Sequence, residues 1–222
     1  MRCLLLALIL APGPAVLADE WPSAVVKEVF SPSRNWFVRV TPGKSVGDLR
    51  GFSGAPKGPY ATADFFHRQP DRSYGLTSTA TLLNPVAPYE FFVTDSGFLV
   101  TLDNWHNLGY GKVVAFYSNE GKPVRAYELS DLFNKDEIEK FVHSVSSIHW
   151  HKAAGSYIRP GGSTFNVTMD DNGASLIFEL TGSYQYCETR GGKFQCRTTN
   201  EHRQWGAFQE PSQATLNNSL KP

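Results

Sequence analysis

An all-β fold of antiparallel strands is the class this sequence predicts, and three observations predict it. Apolar residues alternate with period two along several segments, those residues are mostly β-branched or aromatic, and each segment follows a cluster of turn formers. Trp36, Val38 and Val40 fall on one face, as do Phe98, Val100 and Leu102, and then Ala174, Leu176, Phe178 and Leu180. The preceding clusters are Ser31-Pro32-Ser33-Arg34-Asn35, Thr94-Asp95-Ser96-Gly97 and Asp170-Asp171-Asn172-Gly173, whose side chains and glycines suit tight reversals. An apolar strand also precedes each cluster, so three similar hairpins are expected.

A second hairpin follows each first one, turning at Gln69-Pro70-Asp71-Arg72, Asn119-Glu120-Gly121-Lys122 and Arg190-Gly191-Gly192-Lys193. Pairing the hairpins gives three four-stranded units at residues 25–80, 89–129 and 163–197, within one β domain at 19–210. The first clusters begin at Ser31, Thr94 and Asp170, so the repeat intervals are 94 − 31 = 63 and 170 − 94 = 76 residues. One short helix is expected between the second and third units. Asn134 caps it, Glu137 closes a capping box, and Ile138, Phe141 and Val142 share a face.

The chain begins with the features of a secretory signal over residues 1–18: Arg2, the apolar run Leu4 to Leu10, and Val16-Leu17-Ala18 before Asp19. That run is too short to span a bilayer, and no integral membrane segment follows. Cys3 lies ahead of the apolar run and would leave with the signal. The expected location is secreted or periplasmic. The mature part has 222 − 18 = 204 residues, enough for one domain with a single substantial core. Residues 211–222 read as a flexible tail.

Charge argues against some partners. Without Arg2 the mature part holds 20 Lys and Arg against 21 Asp and Glu, so nothing electrostatic favours nucleic acid or an anionic membrane. The 41% hydrophobic and 13% aromatic content of the full chain suits a packed globule rather than a disordered one.

Four antiparallel strands make one propeller blade. The Ser-Pro-Ser-Arg-Asn and Asp-Ser-Gly turns, each followed by an apolar strand, resemble β-propeller repeats broadly, including the Trp-Asp repeat proteins, although no Trp-Asp dipeptide is present. The stretch Val93 to Leu132, with Thr101-Leu102-Asp103-Asn104-Trp105-His106-Asn107-Leu108-Gly109-Tyr110-Gly111 inside it, is similar to uncharacterised secreted bacterial proteins, a likeness that implies no particular activity. The resemblance implies a partial or small propeller-like domain. Three units are fewer than closed propellers typically contain, and an open array leaves strand edges to be covered. Strands from His149 to Pro160, a second copy of the chain, or a β-sandwich or irregular barrel in place of a ring are the alternatives.

Cys187 and Cys196 sit symmetrically about Gly191-Gly192. In a two-residue hairpin Arg190 faces Lys193, Thr189 faces Phe194, Glu188 faces Gln195, and the cysteines face each other at a non-hydrogen-bonded position. Export supplies oxidising conditions, so a Cys187–Cys196 disulfide is expected.

Two clusters carry the residue types that chemistry needs. The loop with Asp103, Asn104, Trp105, His106, Asn107 and Tyr110 offers a carboxylate, amides, an imidazole and aromatic faces, a set that can stack on a sugar or peptide side chain and hydrogen-bond its edge. The same residues equally serve to close a turn. His149 and His151, two apart on a strand, would project to one face and supply two imidazoles to a metal, with His143 and His106 as distant additions. The Gly-rich segment Thr41 to Tyr60 reads as a flap or surface insertion. Gly43-Lys44-Ser45 lacks the earlier glycine of a phosphate loop, and neither Gly-x-Ser-x-Gly nor His-Glu-x-x-His occurs. Asn166-Val167-Thr168 and Asn217-Asn218-Ser219 fit the glycan acceptor rule.

The sequence therefore points to a binding or scaffold module with a protein or carbohydrate ligand and no cofactor. A hydrolase with Asp103 and His106 as acid and base, aided by a metal at His149 and His151, is the enzymatic alternative. A structural partner that pairs through open sheet edges, with homo-oligomers among the outcomes, is the third.

Overall fold

In the computed structural model, which describes residues 22–169, 173–181, 183–190 and 193–198, the alternating segments become meanders in which each strand pairs with the next. The expected signal at 1–18, the tail at 211–222 with Asn217, the Asp170-Asp171-Asn172 part of the third turn, and Gly191-Gly192 lie outside the described residues.

The first sheet contains β1 (Lys27–Phe30), β2 (Trp36–Thr41), β3 (Thr62–Arg68) and β4 (Tyr74–Thr81) in that order, all antiparallel. The second repeats the plan with β5 (Pro88–Val93), β6 (Leu99–Asn104), β7 (Val114–Tyr117) and β8 (Pro123–Tyr127). Two short helices follow, α1 (Leu129–Leu132) and α2 (Lys135–Ile138), and then a small ladder of β9 (Val142–His143) with β10 (Ile148–His149). The last sheet has five strands, β11 (His151–Ile158), β12 (Thr164–Met169), β13 (Ser175–Glu179), β14 (Tyr184–Arg190) and β15 (Lys193–Thr198).

Several expectations need correction. The segment His149 to Pro160 supplies an extra strand, one of the expected alternatives: β11 pairs beside β12, so the third sheet begins at His151, ahead of residue 163. Among the described residues there are two α-helices rather than one. α1 escaped notice because Leu129 and Leu132, both buried, are a single helical repeat and too short to show a period. At α2 the capping box forms, with Glu137 N donating to Asn134 Oδ1 and Asn134 N to Glu137 Oε2, each at 2.9 Å. The helix ends there, so Val142 leaves the shared face for β9 and is 62% exposed, while Phe141 stays in the core. Asn166 is 2% exposed on β12, which keeps it from a glycan once folded.

Burial explains the layering. One core joins β2, β3 and β4 to one face of the second sheet through Val38, Val40, Phe65, Phe91, Leu99 and Tyr117. The other joins the opposite face to the third sheet and the helical segment through Val100, Leu102, Phe116, Trp150, Phe165 and Phe178. The second sheet is thus covered on both sides, and all six residues of β6 are buried. Each fully buried Phe contributes about 1.5–3 kcal/mol of transfer free energy. The leading strands gather together, β1 packing beside β5 and β5 beside β11. The described strands close neither a barrel nor a propeller ring.

The hairpin register expected for the last turn is observed: Arg190 pairs with Lys193 and Cys187 with Cys196, and the cysteines are joined with Cα atoms 4.1 Å apart. The disulfide indicates an oxidising compartment. Among the described residues no helix is long and apolar enough to cross a membrane.

Candidate functional site

The end of β6 is where buried strand becomes loop, and the change of environment falls on Asp103. The residue adopts φ 53°, a left-handed conformation that Asp tolerates better than most side chains, and is 0% exposed. A carboxylate so placed must find its donors in protein. Oδ1 accepts from Gly109 N at 2.8 Å and from Trp150 Nε1 at 3.1 Å, and Oδ2 accepts from Trp150 Nε1 at 3.0 Å. His151 Nε2 lies 2.8 Å from Oδ2. Gly109 is required for this approach: it has φ 74°, and a Cβ would stand 2.8 Å from Ile148 O.

The partners come from the start of the third sheet. Trp150 is 0% exposed between β10 and β11, and the His151 side chain is 4% exposed, its ring 4.8 Å from the indole. Burial opposes a charged imidazole, but the hydrogen bond and charge of Asp103, helped by the Lys152 carbonyl, outweigh it and hold His151 above its ordinary value. The contact with Asp103 therefore favours the protonated form of His151, sealed between the second and third sheets.

Neighbouring amides extend the network. Asn84 Nδ2 donates to Asp103 O at 3.1 Å and to Asn104 Oδ1 at 2.8 Å, and Asn104 Nδ2 donates to Tyr110 O at 2.7 Å. Asn107 Oδ1 accepts from Arg50 N at 2.5 Å, while its Nδ2 lies 3.2 Å from Arg50 O and 3.1 Å from Ser146 O. One side chain thus pins the Gly-rich loop and the β9–β10 turn to the loop after β6.

That Gly-rich loop is held along its length rather than left as a flap. Gly43 N donates to Val86 O and Lys44 N to Pro59 O, each at 2.7 Å, and Ser45 is 0% exposed. Lys57 pairs with Asp48, and its hydrogen bond, with that of Ser45, holds the Asp48 carboxyl below its usual range.

Where these two loops meet, four half-buried rings share a surface. Phe52 lies 5.9 Å from His106, His106 lies 6.0 Å from Trp105, and the Arg50 guanidinium is 4.3 Å from the Tyr110 centroid. Lys27 Nζ stands 5.5 Å from the Trp105 ring. Partial burial lowers the His106 pKa, which favours a neutral imidazole.

The predicted residues are thus regrouped. Asp103 directs its carboxylate to Gly109, Trp150 and His151 rather than to His106, and Asn104 turns inward. Trp105, His106 and Tyr110 stay at the surface. His149 and His151 separate in role: His149 pairs across β9–β10 with Val142, whereas His151 bonds to Asp103. Among the described residues no group of three His, Cys, Asp or Glu side chains is placed to hold a metal. Sequence reasoning missed Trp150 as a donor, Asn84 as a bridge, and Phe52 as part of the ring cluster. The available signal for the first was a lone carboxylate ending an apolar strand, a residue that must find buried donors.

No known protein family matches this chain, and no curated protein matches it in sequence.

Proposed function

We propose that this protein is an exported binding module whose recognition surface lies where the Gly-rich loop meets the loop after β6. The observation that carries the reading is the reciprocal Arg50–Asn107 bonding, which brings Phe52, Trp105, His106 and Tyr110 onto one surface beside the exposed cations Arg50 and Lys27. Rings flanked by cations suit a protein or carbohydrate ligand, because they offer apolar faces for stacking and donors at the rim. The buried, fully hydrogen-bonded state of Asp103 favours binding over hydrolysis, since an acid or base must reach its substrate. A propeller-like succession of sheets, open between the third and the first, agrees with the side-by-side leading strands and the doubly covered middle sheet. The disulfide supports a secreted or periplasmic location.

The test is two-dimensional NMR of labelled protein titrated with oligosaccharides and short peptides. Saturable shifts of the Trp105 indole and Tyr110 amide, lost in Trp105→Ala, are expected. Saturable binding that moves only residues remote from both loops would reject the surface.

A further inference from the structure

The opposite end of the first sheet carries different chemistry. The β1–β2 turn and the β3–β4 turn lie side by side there, with Arg68 N donating to Asn35 O at 2.8 Å and Tyr74 Oη donating to Arg34 O at 2.6 Å. Beside them runs an open groove of about 670 Å³ lined by Asn35, His67, Arg68, Gln69, Pro70 and Arg72. Among the described residues no carboxylate lines it.

Three features bear on what this groove could bind. The first is unspent charge. Arg39, Lys112 and Lys122 each lie within 3 Å of a Glu carboxylate, at 2.7, 2.9 and 2.7 Å, whereas neither Arg68 nor Arg72 makes an ion pair among the described residues. The second is the state of the nearest acids. Asp71 accepts from Ser73 N and Oγ of its own turn at 2.9 and 2.6 Å, and Asp95, in the β5–β6 turn, accepts from Ser33 N of the β1–β2 turn at 2.8 Å, so both carboxylates already hold donors. The third is backbone strain. Arg34 and Arg72 have φ 58° and 70°, where a residue other than Gly or Asn costs about 1–2 kcal/mol. Both turns thus carry an arginine where glycine would relieve strain, and Arg72 lines the groove.

We infer that this groove binds an acidic oligosaccharide, a sugar chain bearing carboxylates. Arg68 and Arg72 offer planar forks that match carboxylates, and the Asn35 and Gln69 amides suit sugar hydroxyls. An open trough fits a chain running through it better than an enclosed small metabolite. Among the lining residues only His67 carries an aromatic ring, and that ring already packs on Trp36 with centroids 4.5 Å apart, which disfavours single-stranded nucleic acid held by base stacking. The site is independent of the loop surface, because β2, six residues long, separates the two ends by roughly 20 Å.

Isothermal titration of the mature protein with oligogalacturonate, with its fully methyl-esterified form and with single-stranded DNA of similar length tests this. Arg68→Gln with Arg72→Asn removes both guanidiniums, and Asn suits the left-handed position; near-UV circular dichroism checks that the fold persists. Saturable binding of oligogalacturonate is expected, at least tenfold weaker for the double variant and for the ester, and unchanged in Trp105→Ala. Absent binding, equal affinity for the double variant or the ester, or tighter binding of DNA would overturn the proposal. Binding lost only in Trp105→Ala would also overturn it, and would assign the acidic sugar to the loop surface.

Discussion

Two polar loop regions of this molecule use the same kinds of residue to opposite ends. At the end of β6, Asp103 in a left-handed conformation faces inward and directs its carboxylate to Gly109, Trp150 and His151. At the β3–β4 turn Arg72, also left-handed, faces solvent beside Arg68 with no carboxylate for either. The difference teaches that left-handed strain in a polar residue does not by itself indicate function. Where the side chain is enclosed and satisfied, the strain serves packing; where it is exposed without an ion pair, water solvates the side chain and leaves it available to a ligand.

The largest expected effect breaks the inward side of this comparison. Asp103→Ala leaves His151 and the Trp150 indole buried without their acceptor, and urea denaturation should show a loss of about 3–5 kcal/mol. Arg68→Gln on the outward side should stay within about 0.5 kcal/mol. Similar losses at the two positions would erase the contrast.

Reducing the Cys187–Cys196 bridge comes next. For a loop of roughly ten residues the chain-entropy argument allows about 2.7 kcal/mol, less if the hairpin persists in the unfolded chain. Thermal melts of the Cys187→Ser, Cys196→Ser double variant against the oxidised protein measure it. Trp150→Phe keeps most of the packing and removes one donor, so a smaller loss of about 1–3 kcal/mol is expected from denaturant curves.

A pH series sharpens the inward side further. The folded His151 pKa lies above its unfolded value of about 6.5, so its contribution is fully present below that value and is lost as pH rises through the folded pKa. Unfolding free energy should therefore fall as pH rises above about 6.5, and His151→Gln should flatten that part of the curve. A slope unchanged in the variant would show that another group is responsible.

Legibility followed the range of the interaction. The alternation that placed Val38, Val40, Val100 and Leu102 in the cores is a property of neighbouring residues, and the cysteine register followed from counting outward from one turn. The Asn134–Glu137 capping box was equally local. The partners of Asp103 were not legible, because Trp150 and His151 lie 47 and 48 residues further along the chain. His106, three residues from Asp103, was the natural sequence choice, and a left-handed turn at each of the two residues sends their side chains apart.

What the amino-acid order determined alone was the strand plan, the disulfide register and the inventory of polar groups able to bind or react, since these depend on side-chain period and short loops. Tertiary structure decided which polar groups would be enclosed and which left facing water. That choice depends on how three sheets stack, and stacking sums many weak apolar contacts between residues far apart in the chain.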